Sequence, residues 1–466
     1  MHDTACAQAM PMELSGVQAQ MQDLLIEISE PSLSSDAPRE RAKRGQPPKI
    51  SDGHLWVSLV WSVLLGMSNY QQWWRLVCTT TLGAFAPVAD ISADALTTRL
   101  QQAGLEPLQR LLSQVSAHLA ARLAPLGQRL MPLASFAPEI VAIDESTLDA
   151  VYRLLKPLRH LPAGDLGLLP GKLAGRFNLR TQQWELVQYR SEVLGNCKVD
   201  VLSLLEGLVA GSLILFDLGY FSFAWFDYLT QMGYYYISRY REKTTYQLIH
   251  TYYSHEGILD ALVWLGSSRA SAAHAGYAVR LVRFWDGKQL RLYFTNVLDP
   301  RQLSLAQISH LYARRWDIEL AFLTLKEYLG LHHWWSSKRI LIVQQIWVVL
   351  IVAQLLQALR LEIAAQAQVD PFDVSLPLLV HYVPLLIRQQ QPPLPWVLTY
   401  GVRLHLIRPS TRIRTLAPDL PLADLHFPPP DLPLVRRACY LQYEPRPHRP
   451  SKQQRKPPAS TSSDTT

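Results

Sequence analysis

The sequence predicts an α/β protein in which buried strands end in acidic residues close to a long helix. Two apolar runs, 139–144 and 212–217, have the length and composition of buried strands, and they end in Asp144 and Asp217. A third pattern, between Tyr312 and Lys326, is helical. Because sites in open α/β folds form where strands end, both aspartates are expected at the rim of a sheet.

Composition narrows the class of protein. A chain of 466 residues can bury a large core and form two or three domains. Its net charge of +7 suits a polyanionic partner, although basic chains are also common among unrelated proteins. The four cysteines have no paired spacing, so a zinc site or a disulfide framework is not expected, and a reducing cytoplasm fits.

The N-terminal part is predicted to be helical after a polar start. Residues 1–39 are expected to be disordered or weakly helical, and they lack the apolar segment of a signal peptide. The basic run at 39–49 fits either an arm along nucleic-acid phosphates or a solvated linker. The region 40–130 is predicted to be helical, since Ser51 can cap a first helix and 94–123 has the pattern of two more.

Short patterns predict the elements around the two aspartates. Alternating residues on both sides of a polar turn at 181–183 predict a hairpin. Helices are expected at 197–209 and 223–232, and a strand at 234–238.

The segment at about 240–297 is predicted to be rich in strands. Asp286-Gly287 is a favourable hairpin turn between two of them. Trp285, just before this turn, is expected to pack against the sheet, the usual role of a strand-end tryptophan.

The helical pattern after residue 310 places unlike charges on one face. With Tyr312 at zero, Arg315 falls near −60°, Glu319 near −20° and Lys326 near −40°, at about 100° per residue. Asp317 points roughly 140° away by the same count. A solvated, salt-bridged surface is the ordinary explanation for such a helix. The two strand-end aspartates favour a different explanation, in which this face forms part of a functional site.

The C-terminal part, 341–443, is predicted to be helical and then proline-rich. The run 340–359 is apolar enough for a membrane span, but four glutamines interrupt it, so a buried core helix is favoured. Residues 444–466 are basic, lack apolar side chains and are expected to be disordered.

Three carboxylates with this placement predict a metal site. Asp144, Asp217 and Glu319 can together hold two divalent ions roughly 4 Å apart. Oxygen ligands favour Mg²⁺ or Mn²⁺. Such a pair activates a water or a 3′-hydroxyl for phosphodiester transfer. Singly, Asp144 or Asp217 would more often be a helix cap or a strand-end acid.

The spacing of the helical residues resembles a family signature. Tyr312, two residues, Arg315, three residues, Glu319, six residues and Lys326 match the Y-(2)-R-(3)-E-(6)-K pattern. This pattern is typical of bacterial insertion-sequence transposases of the family numbered four, a branch of the DDE transposases. The resemblance covers roughly 135–360.

Further blocks carry the same resemblance. Asp144-Glu-Ser-Thr147 and Asp217-Leu-Gly-Tyr220-Phe221 are similar to the first and second catalytic blocks, and Thr295-Asn296 is typical before the last helix. Many relatives have arginine where this chain has Leu218. That difference removes a possible phosphate contact but no metal ligand.

The resemblance implies roles for the site residues. Asp144, Asp217 and Glu319 would be catalytic metal ligands for two Mg²⁺ or Mn²⁺ ions. Tyr312, Arg315 and Lys326 would grip the transposon end. Cleavage would pass through a hairpin at that end, followed by joining to target DNA. An alternative role for Trp285 is stacking on a flipped base.

The resemblance also implies an architecture and partners. Residues 135–340 would form a ribonuclease H-like, retroviral-integrase-like core with a β-rich insertion at about 240–297, and 40–130 would bind the DNA ends. Double-stranded DNA, as inverted repeats and target, would be the partner of a synaptic homodimer in the bacterial cytoplasm, near the nucleoid. A decayed, non-catalytic DNA-binding relative, a nuclease without strand transfer and a membrane protein built on 340–359 remain the alternatives.

Overall fold

The protein is a mixed α/β structure built around one large sheet. A computed structural model describes residues 49–82, 85–148, 171–190, 201–267, 272–336, 338–410 and 417–440. The predictions for 1–39, for most of the basic run at 39–49 and for the tail 444–466 fall outside these ranges, as do Cys6 and Cys197. Cys78 and Cys439 are free thiols.

Four N-terminal helices confirm the prediction of helical structure in this region. They are α1 (Asp52–Leu64), α2 (Tyr70–Thr79), α3 (Ala93–Ala103) and α4 (Glu106–Leu130). The Ser51 side chain accepts a hydrogen bond from the backbone N–H of His54 at 3.2 Å and caps α1, as the sequence predicted. Asn69 and Ser92 cap α2 and α3 in the same way.

The sheet has nine strands in the order β3-β2-β1-β4-β5-β9-β8-β7-β6. The strands are β1 (Ile140–Thr147), β2 (Lys172–Asn178), β3 (Gln183–Arg190), β4 (Leu213–Leu215), β5 (Tyr235–Arg239), β6 (Tyr246–His255), β7 (Ile258–Leu265), β8 (Val279–Trp285) and β9 (Leu290–Thr295). The strands β1, β4 and β5 are parallel neighbours. The other strand pairs are antiparallel. The predicted hairpin is confirmed as β2–β3.

One predicted helix before the second aspartate is wrong over its described part. Residues 201–209 contain only the short 3₁₀ turn Val201–Leu205. Gly207 then adopts a φ of +72°, a left-handed conformation that ends helical structure. The helix predicted at 223–232 and the strand predicted at 234–238 are both present, as α5 (Phe223–Gln231) and β5.

The β-rich segment after β5 extends the same sheet. The strand β9 pairs with β5, so β6–β9 continue the sheet edge to edge. The predicted turn forms at Asp286-Gly287, where Gly287 has a φ of +88° and the Asp286 side chain accepts hydrogen bonds from the N–H groups of Lys288 and Gln289. Trp285 is 61% exposed, so its predicted packing is wrong.

The predicted single helix after residue 310 is divided into three parts. They are α6 (Leu305–Arg314), α7 (Trp316–Leu323) and a π-helical turn (Thr324–Tyr328), with Arg315 between the first two. The Arg315 N–H donates to the Tyr312 carbonyl at 3.1 Å, which tightens the junction, while Arg315 keeps helical backbone angles. The chain direction is therefore maintained.

The apolar run forms a core helix, α8 (Arg339–Ala367). Its length and composition would allow a membrane span, but 89% of its most apolar window is buried in the fold. Its glutamines bond to neighbouring elements, because Gln354 accepts from the N–H of Trp184 and donates to the Trp184 carbonyl, both at 2.9 Å. These contacts favour the predicted core helix.

Two further helices and an extended segment complete the described chain. They are α9 (Leu376–Arg388) and α10 (Pro393–Tyr400). The segment 417–440 then crosses the β-rich part of the sheet through isolated bridges that pair His274 with Cys439 and Tyr277 with Val435.

Candidate active site

Asp144 and Asp217 lie side by side at the rim of the sheet. The parallel strands β1 and β4 pair Ala142 with Leu215. Asp144 and Asp217 each follow two residues after this last pair, so both lie where the two strands separate. Neighbouring strands are about 4.8 Å apart, and the charge of Asp217 raises the pKa of Asp144, so the two carboxylates are close to each other.

Asp144 is held in a mostly buried environment. Its Oδ1 accepts a hydrogen bond from the Glu145 N–H at 2.8 Å. Gly175 is its partner on β2, and a Cβ there would lie 2.5 Å from the Trp184 ring. The pKa of Asp144 is raised to about 6, chiefly by burial and also by the negative charges of Asp217 and Glu319, while the Glu145 N–H and the Arg315 charge lower it. Asp217 and Glu319 therefore lie close enough to act on Asp144.

Arg315 connects the helical acid to the strand. Its Nη2 lies 2.5 Å from Glu319 Oε1 and its Nη1 lies 3.5 Å from Asp144 Oδ2. Asp317 lies on the other side of α7, where it pairs with Arg314 at 2.9 Å and accepts from Gln182 at 3.1 Å. The structure thus agrees with the predicted separation of Glu319 from Asp317.

The other two signature residues are also in contact with the rim. The Tyr312 hydroxyl donates to the Phe216 carbonyl at 3.3 Å, and its buried ring lies 4.8 Å from that of Tyr293. The Lys326 ammonium donates to the Thr147 carbonyl at the end of β1. Both side chains therefore contact residues that flank the aspartates, and their role toward DNA stays a prediction.

The three acids suit a divalent cation by their chemistry. Carboxylate oxygens are hard ligands, and the repulsion of Asp144 by Asp217 and Glu319 is the kind that a cation relieves. Within the described ranges, no group of three or more His, Cys, Asp or Glu side chains is already arranged around a metal position. The Arg315 guanidinium contacts both Asp144 and Glu319.

Arg239 is a site residue that local sequence patterns did not place at the rim. The strands β4 and β5 pair Leu215 with Ile237, and Arg239 at the end of β5 lies close enough to Tyr312 for its charge to act there, as the charge of Asp217 does. Arg239 is exposed, and its charge acts on the pKa of Tyr312. The sequence pattern that could have indicated Arg239 resembles that of the aspartates, because a charged residue ends a short, mostly apolar strand.

Asp144→Asn is expected to stabilise the protein in a metal chelator. The raised pKa means that ionised Asp144 opposes folding above about pH 6, by roughly 2–3 kcal/mol. The stabilisation should therefore be absent below about pH 4, grow up to about pH 6 and stay constant above it. Urea unfolding at pH 4, 5 and 7.5 measures this, and a less stable Asn variant at pH 7.5 would contradict the assigned environment.

Comparison with known proteins finds one family model that matches part of the chain. Residues 199–355, about a third of the chain, match the family model described as "Transposase DDE domain". The match contains Asp217, Glu319 and the three basic or aromatic signature residues, and it begins after Asp144. The chain carries a transposase DDE domain. The match supports an enzyme with transposase or nuclease activity that acts on DNA.

The comparisons with curated proteins and with solved structures give little further support. The search of curated proteins gave no match. One similar solved structure is the piggyBac transposase synaptic complex with hairpin DNA. It is 9% identical over 83% of this chain and 81% of that chain, with a TM-score of 0.38. The assignment rests on the family model.

Proposed function

We propose that this transposase cleaves inverted-repeat DNA ends and joins them to target DNA, as a member of the insertion-sequence family numbered four. The observation that carries the proposal is that the charges of Asp217 and Glu319 both act on Asp144, with Glu319 connected to Asp144 through Arg315. Strand-end acids on adjacent parallel strands, together with a helical acid, can hold the metal pair that supports phosphodiester transfer.

The proposed core is ribonuclease H-like. The order β3-β2-β1-β4-β5, with three antiparallel strands followed by two parallel ones, supports it. The proposed domains are an end-binding domain at 40–130, the core at 135–340 with its β-rich insertion at about 240–297, and the C-terminal part at 341–443.

Asp144, Asp217 and Glu319 are the proposed ligands of two Mg²⁺ or Mn²⁺ ions. Bound there, the metal would activate the attacking water or 3′-hydroxyl and stabilise the leaving oxygen. The Glu145 N–H orients Asp144, and the contact of Tyr312 with the Phe216 carbonyl fixes the strand end that carries Asp217. Arg315 neutralises carboxylate charge before DNA arrives.

Cations around the rim are the proposed contacts to DNA phosphates. Arg315 and Lys326 lie on the helical side of the acids, and Arg239 lies on the side of β5. Together they surround the carboxylates with positive charge, which attracts a phosphate toward the acids. A synaptic homodimer is part of the proposal and is testable by sizing the protein–DNA complex.

Arg239→Ala is expected to weaken DNA binding to a similar degree for all sequences. Loss of one phosphate contact should lower the slope of log affinity against log salt by about 1. Arg301→Ala is the matched control, because Arg301 is exposed, pairs with Asp299 and follows the opposite end of β9. Equal salt slopes for wild type and Arg239→Ala would exclude this contact.

Product analysis tests the proposed reaction. Linear DNA that carries the inverted repeats flanking the source gene is incubated with the protein, Mg²⁺ and a target plasmid. Nicked ends, hairpin ends and joined products are expected in that order. Cleavage without joined products would indicate a nuclease with the same core. End binding without cleavage would indicate a decayed relative.

A further inference from the structure

Glu145 follows Asp144 on β1 and points to the opposite face of the sheet, because successive side chains of a strand alternate between faces. Its Oε2 accepts a hydrogen bond from Lys172 Nζ at 2.6 Å, and its Oε1 accepts one from Arg190 Nη1 at 2.6 Å. Lys172 begins β2 and Arg190 ends β3. The ion triplet of Glu145, Lys172 and Arg190 therefore connects three adjacent strands at the end of the sheet that carries the rim.

The ion triplet is largely shielded from water. The side chains of Lys172, Arg190 and Glu145 are 6%, 12% and 14% exposed. Exposed ion pairs contribute little, because water screens them and their side chains remain mobile. Shielded hydrogen bonds between charged groups are shorter and stronger, and they hold their groups in one geometry. The Glu145 side chain is therefore a fixed point near the end of β1.

The peptide group between Asp144 and Glu145 connects the ion triplet to the rim. Its N–H donates to Asp144 Oδ1 at 2.8 Å, while Asp144 Oδ2 lies 3.5 Å from Arg315 Nη1. A carboxylate that accepts from a fixed N–H keeps one orientation, and metal ligands commonly depend on such partners. A shift of Glu145 would move this N–H, so the orientation of Asp144 depends on the contacts of the residue that follows it.

Glu145 acts through Asp144 and is not itself placed to hold a metal. Both of its carboxylate oxygens already accept from cations, and its side chain lies on the face of the sheet opposite to Asp144. We propose that Glu145 is a positioning residue for the cleavage centre, whose two ion pairs fix the peptide N–H that orients Asp144. The inference rests on the proposed function of the rim acids as metal ligands.

Binding of Mn²⁺ to the full-length protein tests this role, measured from the electron paramagnetic resonance signal of free Mn²⁺. Glu145→Gln keeps the shape of the side chain and removes its charge. Groups that orient metal ligands commonly contribute about 10- to 100-fold to metal affinity, so Glu145→Gln should bind Mn²⁺ more weakly than wild type by about that factor. If this variant does not fold, Glu145→Asp keeps the charge on a shorter side chain and should also bind Mn²⁺ more weakly.

Glu185→Gln is the matched control. Glu185 lies on β3, its side chain is 22% exposed, and its Oε2 pairs with Arg176 Nε on β2 at 2.8 Å. The same substitution there removes a comparable charge from the same sheet, away from the rim. Urea unfolding should show a loss of stability in both variants, and the Mn²⁺ affinity of Glu185→Gln should equal that of wild type.

The Mg²⁺ dependence of DNA cleavage gives a second measurement. Glu145→Gln should need about 10- to 100-fold more Mg²⁺ for half-maximal cleavage, while its binding of end DNA in a chelator should match wild type. Equal Mn²⁺ affinity and equal Mg²⁺ dependence for wild type and Glu145→Gln would overturn the inference and leave Glu145 a purely structural role. If wild type neither binds Mn²⁺ nor cleaves end DNA, the proposed function fails as well. If wild type does both and Glu145→Gln matches it, only the positioning role fails.

Discussion

Alanine at Asp144, Asp217 or Glu319 is expected to reduce DNA cleavage by at least about a thousandfold, because a metal site contributes several kcal/mol to such a step. Each substitution removes one carboxylate from a rim where Asp217 and Glu319 both act on Asp144. Binding of the DNA ends should change little, since phosphates are attracted by the surrounding cations. Strand cleavage in Mg²⁺ and end binding in Ca²⁺ are the two measurements.

Glu327→Ala is the matched control for these variants. Glu327 is an exposed acid on the π-helical turn, eight residues after Glu319. It should cleave at the wild-type rate. An Asp144 or Asp217 variant that retains full cleavage would exclude that residue from the site, and a parallel loss in Glu327→Ala would indicate a general effect of charge.

Asp260→Ala is expected to destabilise the protein by about 3–5 kcal/mol, because it leaves a buried arginine without its counterion. Asp260 and Arg280 join β7 to β8 with side chains that are 1% and 0% exposed. Arg280 Nε donates to Asp260 Oδ1 at 2.7 Å, and its Nη1 donates to the Leu303 carbonyl. Urea unfolding of single variants measures the loss.

Two comparisons distinguish burial from charge pairing alone. Asp299→Ala breaks the more exposed pair with Arg301 and should cost no more than about 1 kcal/mol. The double variant Asp260→Leu with Arg280→Met replaces both charges with apolar groups, and it should recover most of the stability. If Asp260→Ala lowered the free energy of unfolding by less than Asp299→Ala does, the stabilising role of the buried pair would be contradicted.

Local patterns were sufficient to predict the strands and most of the helices. The strand-end aspartates, the β2–β3 hairpin, the Ser51 cap and the Asp286-Gly287 turn each depend on a few adjacent residues. The helical face that separates Glu319 from Asp317 follows from helix geometry alone. These features were therefore predictable from the sequence.

Features that depend on pairing between distant residues were not predictable in this way. Arg239 joins the rim only because β5 aligns with β4, and the β-rich segment extends the sheet only because β9 pairs with β5. Arg315 contacts Asp144 across 171 positions of sequence only because α7 packs on β1. The sequence predicted which residues matter, and tertiary packing determines which of them meet.

The central claim is that Asp144, Asp217 and Glu319 form one metal-dependent centre for DNA cleavage. Its most direct test is cleavage of inverted-repeat DNA by wild type and Glu319→Gln, in Mg²⁺ and in a chelator. Wild type should cut at the repeat end in Mg²⁺ only, and Glu319→Gln should bind the same DNA without cutting it. Cutting by Glu319→Gln at the wild-type rate, or by wild type in the chelator, would contradict the claim.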